Sequence, residues 1–413
     1  MSISLTTRFA VRTLGRSKRR TLLSVIGVGV GCGVALFLTA FMHGANEMRV
    51  QSIADSGFGH LRIAPGGWEK TRENDLRLQD WRKALDAVSA MEGVRVAAPH
   101  ARSTALLAFG TRVAGVQLLG VDPPAEAALS RLVRAVSEGR YLKTGDEGVT
   151  VIGSTIAERL DVTLDDDLLL TVVGKGGQMA YAMLRIVGIA HTGSRDLDAS
   201  ICHVTLEDVE RLTGLNGAGE ITVTLRDLGD LDRAVSHLRT TIPEGDDVLT
   251  WKEVQPAQGA DSESDKAFTN LFVGIVVIVV ILGITSAQLT AILDRRREFA
   301  VLIALGMKGL QVTRLVLVEA AVLGVLGAAA GLLLAMPLVY YTATTGIDFG
   351  AVMGGETSIS GVLFDPVMYS DMGLWMIPHA LFVALASTLI ATLYPAYYAV
   401  RTNPTSALSL REA

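Results

Sequence analysis

The chain has 413 residues, 50% of them hydrophobic and only 19% charged, with a mean hydropathy of +0.40 and a formal net charge of −5. That balance excludes a disordered or collagenous chain and an ordinary soluble enzyme, and it offers no whole-chain electrostatic case for nucleic-acid binding. Two cysteines, Cys32 in an apolar run and Cys202 in a polar region, rule out a disulfide framework.

In chain order, residues 1–20 form a basic flank with Arg8, Arg12, Arg16, Lys18, Arg19 and Arg20 and no acid, which the positive-inside rule places in the cytoplasm. Residues 21–43 carry no formal charge and are long enough to cross roughly 30 Å of hydrocarbon as a helix. This reads as an uncleaved anchor, because a cleaved signal has a shorter apolar core. Residues 44–266 are predicted to be a large α+β outer domain of net charge −10, with 24 Lys and Arg against 34 Asp and Glu. Strands are expected at Leu106–Phe109, Val116–Val121, Gly148–Ile152, Asp167–Val173, Leu184–Ile189 and Ile221–Leu225. Helices are expected at Leu78–Met91, Ser154–Leu160, Leu206–Leu212 and Asp230–Thr240.

A polar stalk, Gln255–Lys266, leads into a second uncharged span at 267–293. Asp294, Arg295, Arg296, Arg297 and Glu298 then return the chain to the cytoplasm. The 294–311 stretch holds a short amphipathic helix broken at Gly306. It can lie on the membrane surface or present Glu298, Phe299 and Leu302 to a groove on a cytoplasmic partner. Residues 312–345 and 373–400 are the third and fourth spans. The connection between them, 346–372, carries Asp348, Glu356, Asp365 and Asp371 without a Lys or Arg and belongs outside. The tail, 401–413, is cytoplasmic. The fold class is therefore four transmembrane α-helices, one plus three, with a large α+β domain between the first and second.

Gly27, Gly29, Gly31 and Gly33 superficially resemble a dinucleotide fingerprint, but no strand precedes them in the uncharged run. Their paired GxxxG spacings, Gly27/Gly31 and Gly29/Gly33, instead permit close helix approach, and Gly327/Gly331 repeat that spacing in the third span. Gly174, Lys175, Gly176 and Gly177 lack the spacing and hydroxyl of a P-loop, so no ATP site is expected. No metal site is expected from the scattered histidines, and Ser154 does not sit in a nucleophile elbow. Glu319, an acid inside an apolar segment about one turn past Arg314, is either a snorkelling interfacial group or a gating residue.

Asp294-Arg-Arg-Arg-Glu-Phe-Ala-Val-Leu-Ile-Ala-Leu-Gly306 resembles the coupling-helix motif of FtsX-like, MacB-type ABC transporter permeases. Tyr394-Pro-Ala-Tyr-Tyr-Ala-Val-Arg-Thr-Asn-Pro404 followed by Ala407 and Leu408 resembles their C-terminal signature, and Arg16-Ser-Lys-Arg-Arg-Thr-Leu-Leu-Ser24 fits their first span. In the outer domain, Leu119-Gly-Val-Asp-Pro123, Glu138-Gly-Arg-Tyr-Leu142 and Val151-Ile-Gly-Ser154 are similar to the periplasmic domain of the lipoprotein-releasing and macrolide-exporter branches. The resemblance implies an inner-membrane permease with a periplasmic 44–266 domain. It would work as a homodimer or a heterodimer with a sister permease, on two cytoplasmic ATPase subunits that bind ATP and Mg.

By mechanotransmission, ATP-driven closure would pull on Arg297, Glu298, Phe299, Leu302 and Gly306 and be relayed outward. The lipoprotein-releasing branch is favoured by the lack of a fused ATPase, by chain length, and by an apolar outer connection (Val362, Leu363, Phe364, Val367, Met368) along which acyl chains would slide. In that branch lipoproteins are extracted from the inner membrane and handed to a periplasmic carrier, whose contact loop is not located here. The alternatives are a macrolide-exporter-like efflux permease with adaptor and outer-membrane channel, and a signalling regulator of a periplasmic cell-wall hydrolase.

Overall fold

The computed structural model describes residues 18–71, 73, 76–350, 358–359 and 362–400. Arg8, Arg12, Arg16, Glu356, the 401–413 tail and the part of the C-terminal motif beyond Val400 lie outside the described residues. The chain divides into a span unit, up to Ala45, Ser264–Ile347 and from Met368, and an outer unit, Asn46–Glu263 with Asp348–Val367.

Among the described residues, four helices are long and apolar enough to cross a membrane: α1 (Lys18–Ile53), α7 (Pro256–Asp294), α9 (Gly309–Thr345) and α10 (Met376–Val400). Helix α1 runs ten residues past the expected end of the first span, and α7 takes up the expected stalk as its own first turns. Between α7 and α9 lies the short helix α8 (Arg296–Ala304). In the span unit, the core is made largely of small and slender residues: Val28, Cys32, Ala40, Ala328, Ala335, Ala380 and Ala384. Packing in lipid gains nothing from hydrophobicity, so close backbone approach supplies the attraction. Cys32 Sγ lies 3.5 Å from the Ala380 carbonyl, to which it donates. At the outer end, Asp371 gathers His43 Nδ1 at 3.1 Å and Trp375 Nε1 at 2.9 Å.

Among the described residues, the large sheet of the outer unit has ten strands. Strand β1 is Leu61–Pro65, β2 Val94–Phe109, β3 Arg112–Val121, β4 Val136–Gly139, β5 Val149–Gly153, β6 Asp167–Val173, β7 Met179–Ala190, β8 Ile201–Thr205, β9 Glu220–Leu225 and β10 Asp246–Thr250. The unit's longer helices are α2 (Trp81–Ser89), α3 (Pro123–Leu129), α4 (Ser154–Leu160), α5 (Leu206–Thr213) and α6 (Leu231–Thr241). The order β10-β1-β9-β2 is an antiparallel sheet on which α2 and α6 close a core of Leu61, Ile63, Val88, Val223 and Leu238.

The second half of β2 belongs to a different assembly. Pairings β2–β3, β3–β8, β8–β5, β5–β7, β7–β6 and β6–β2 return to their starting strand, a six-stranded barrel. In β6 the alternation is strict: Leu168, Leu170 and Val172 point inward, and Leu169 and Val173 outward. Gly110, at φ +59, opens the two-residue turn between β2 and β3, where its lack of a Cβ permits the first turn position.

Where β2 passes from one lobe to the other, a polar cluster is sealed inside. Glu220 accepts from Arg62 Nη1 at 3.0 Å and Arg102 Nε at 2.7 Å, and His100 bridges Glu126 at 2.6 Å and Thr222 at 3.0 Å. Next to it, Tyr141 donates to His203 Nδ1 at 2.8 Å, and burial lowers that histidine to about 4, leaving the ring neutral and able to accept. The outer connection has a packing role at Val362. Val362 is fully buried among Val50, Ile53 and Trp251, and Leu363 N donates to Ser56 Oγ at 2.9 Å. Phe364 packs partly buried against the same cluster.

Candidate functional site

Helix α8 follows directly on α7 because Arg295, with φ −100 and ψ +12, leaves helical geometry for one residue. The helix ends at Gly306, whose φ of +92 suits glycine and turns the chain towards α9. Apolar residues occur on both of its faces. Phe299 is 2% exposed, packed with Ile292, Val312, Leu315, Val316 and Ala396, and Leu302 and Ile303 are half-buried against the same cluster. The opposite stripe, Arg297, Val301, Ala304, Leu305 and Lys308, is exposed, as is Glu298. Of the five expected coupling residues, Arg297, Glu298 and Gly306 are therefore at the surface. Phe299 and, in part, Leu302 pack against the chain's own spans. Val301 and Leu305, apolar residues of the same helix outside the expected coupling set, repeat at helical spacing from Arg297.

Glu319 is not a lone snorkelling acid. Its carboxylate, 8% exposed, accepts from Arg295 Nη1 at 3.1 Å, and Arg295 also donates Nε to Glu298 at 3.2 Å. In the sequence Arg295 is one more inside charge, and no spacing signal ties it to a residue 24 positions on.

The glycines separate into three settings. A Cβ on Gly29 would stand 2.8 Å from Ala330 Cβ, one on Gly33 3.3 Å from the Gly331 carbonyl, and one on Gly331 2.9 Å from Cys32 Cβ. Gly327 is closed by Val28, so these four make the contact between α1 and α9. Gly31 meets Val280 of α7 instead, and a Cβ on Gly27 would meet nothing within 4 Å. Gly331→Val is expected to cost about 1–3 kcal/mol through overpacking, read as a lower melting temperature in detergent, with Gly27→Val near wild type. Equal melting of the two would refute that division.

Gly27 is open because it lines a groove of about 610 Å³ between α1 and α7, with Leu23, Val30, Val34, Val276, Val279 and Val280 along its walls. Ser24 supplies its one hydroxyl-bearing side chain. In the outer unit, the exterior of the barrel exposes Leu106, Val113, Leu169, Val173, Met179, Tyr181 and Met183 on strands β2, β3, β6 and β7. Contiguous apolar surface of this kind marks an interaction face.

Ser154, His191 and Asp198 converge without forming a nucleophilic relay. Ser154 Oγ lies 3.0 Å from His191 Nδ1 and donates to Asp198 at 2.9 Å, while Asp198 lies 3.5 Å from the same ring nitrogen. A relay needs acid and nucleophile on opposite ring nitrogens. Asp198 also accepts from Thr192 N and Oγ1, so the group locks the start of α4.

Residues 21–241, more than half of the chain, match the MacB-like periplasmic core domain, and residues 270–404 match the FtsX-like permease C-terminal domain. The chain is 24% identical to the lipoprotein-releasing system transmembrane protein LolC of Neisseria meningitidis serogroup B over 402 residues, 94% of this chain and 93% of LolC. It is 25% identical to the lipoprotein-releasing system transmembrane protein LolE of Haemophilus influenzae, over 94% of this chain and 93% of LolE. Against the macrolide export ATP-binding/permease protein MacB of Marinobacter nauticus it is 24% identical, over 97% of this chain and 60% of MacB.

Proposed function

The chain belongs to the FtsX-like, MacB-type family of ABC transporter permeases, and on that premise we propose that it is a multi-pass inner-membrane subunit that extracts lipoproteins for delivery to a periplasmic carrier. The observation that carries this reading is the groove between α1 and α7. Its walls are aliphatic and its lining glycines leave room for a chain rather than a side chain, which suits acyl groups and gives a hydrated solute no partner. The match over nearly the whole of LolC and LolE supports release over macrolide export.

In this proposal ATP and Mg act on separate ATPase subunits, with a second copy or a sister permease completing the membrane dimer. Closure of the ATPases moves α8 through its exposed stripe, and the motion is relayed by mechanotransmission to the outer unit. The apolar barrel exterior, with its adaptable Met179 and Met183, is the surface the carrier meets.

A photo-crosslinker placed at Val279 is expected to capture acylated lipoprotein and not its unacylated form. Gly27→Leu, which fills the groove, is expected to reduce that capture severalfold while Gly27→Ala keeps it. In cells, depletion is expected to leave outer-membrane lipoproteins in the inner membrane. Equal capture of acylated and unacylated cargo, with unchanged sorting on density fractionation, would rule the reading out.

A further inference from the structure

The start of the coupling helix is tied to the spans by a buried ion pair. Arg295 and Glu319 are 14% and 8% exposed and meet at 3.1 Å, and the guanidinium also lies over the Phe299 ring, 5.1 Å from its centroid. Around Glu319, Thr21 and Ser24 of α1, Gln288 and Ala291 of α7 and Leu323 of α9 line a cavity of about 10 Å³, near the lower limit for one water. A single carboxylate therefore stands where α1, α7, α9 and the start of α8 come together.

We infer that the Arg295–Glu319 pair is the link by which displacement of α8 is imposed on the spans, making both positioning residues for the transport cycle; the inference rests on the permease reading above. An apolar contact such as Phe299 in its pocket can slide by a fraction of an ångström at little cost, since dispersion is not directional. A buried charge pair cannot, because separating it strands a carboxylate that has no second ion-pair partner among the described residues. When α8 moves, α9 and the helices lining the cavity follow the guanidinium. A pair of this kind contributes little to stability against an apolar substitute, but it holds one relative position of two helices.

The test uses the full-length permease in nanodiscs, alone and with its ATPase, and a purified triacylated lipoprotein as cargo. Glu319→Gln and Arg295→Gln are each expected to lower cargo released per ATP hydrolysed by about tenfold, within the usual range of coupling between sites. In the permease alone, both should speed hydrogen exchange at the amides of residues 296–304. The exchanged pair, Arg295→Glu with Glu319→Arg, should recover most of both signals, which identifies the pairing rather than either residue alone as their source. If the single variants do not accumulate, Arg295→Lys reads the same link, because a point charge cannot serve Glu298 and Glu319 through a fork; an unchanged release ratio there overturns the inference. Wild-type exchange in both single variants overturns it whatever the transport result. Altered exchange and rescue in a permease that releases no lipoprotein would support the link and overturn the lipoprotein reading instead.

Discussion

Glu220→Ala is expected to destabilise the outer unit by about 3–5 kcal/mol, the cost of stranding a buried charge. The carboxylate is 3% exposed and accepts from two guanidiniums, Arg62 at 3.0 Å and Arg102 at 2.7 Å, with Arg62 itself almost fully buried and stacked over Trp68. Removing it leaves two cations facing one another at the junction of the sheet and the barrel. By contrast Arg185→Ala, which breaks a half-exposed pair with Asp167, should change stability by less than about 1 kcal/mol. The same carboxyl sets a pH dependence. Burial alone would raise its pKa, but Arg102, Arg62 and His100 outweigh that and hold it down at about 2, against an ordinary 4.5.

Because the folded value is the lower one, the unfolded chain binds the proton first as pH falls. The stabilisation, about 3 kcal/mol, is fully present above pH 4.5 and is lost progressively towards pH 2. Urea titrations of the detergent-solubilised protein at pH 7, 4.5 and 3, followed by tryptophan fluorescence, check both claims. Three of the four tryptophans, Trp68, Trp81 and Trp251, lie in the outer unit. A Glu220→Ala midpoint within error of wild type at pH 7 would sink the assignment of that cluster as the tie between the two lobes.

The spans were legible because an uncharged run long enough to cross hydrocarbon has few other uses, and the structure has a helix through each of them. Strands with one wet face, such as Asp167–Val173, were legible from their alternation. Leu61–Pro65 and Ile201–Thr205 were missed because they are buried on both faces and show none. Barrel closure was out of reach: β3 pairs with β8 and β5 with β7 in parallel, across long stretches of chain, and nothing local encodes that partnership. The Glu220 cluster draws on residues from Arg62 to Thr222 for the same reason. At α8, the sequence located a short helix but not which of its sides the spans cover. Phe299, Leu302 and Ile303 make one apolar stripe and Val301 and Leu305 another, and only packing decides which is claimed by the chain's own spans.

That division yields the largest functional effect expected from a single surface change. Leu305→Asp should weaken retention of the ATPase by tenfold or more and abolish its stimulation by cargo, whereas Phe299→Ala should act mainly by lowering stability, by about 3–5 kcal/mol. Leu305 is 80% exposed and Leu310 68%, beside Val301, with Arg297 and Lys308 flanking the stripe. Large apolar side chains left uncovered by the chain itself at the end of a helix, beside charge, have the composition of an interface centre and rim. Placing a carboxylate at the centre forces its desolvation on docking without a partner cation built to receive it.

Glu298→Lys should give a smaller loss, since it sets like charge against Arg295 at the start of the helix. Gly306→Pro should spoil the turn outright, because proline cannot adopt a φ of +92. The measurement is co-purification of the ATPase in mild detergent together with ATP turnover with and without lipoprotein. Wild-type retention and stimulation in Leu305→Asp would mean the ATPase grips another surface. A folded Phe299→Ala protein that loses retention while Leu305→Asp keeps it would invert the two stripes.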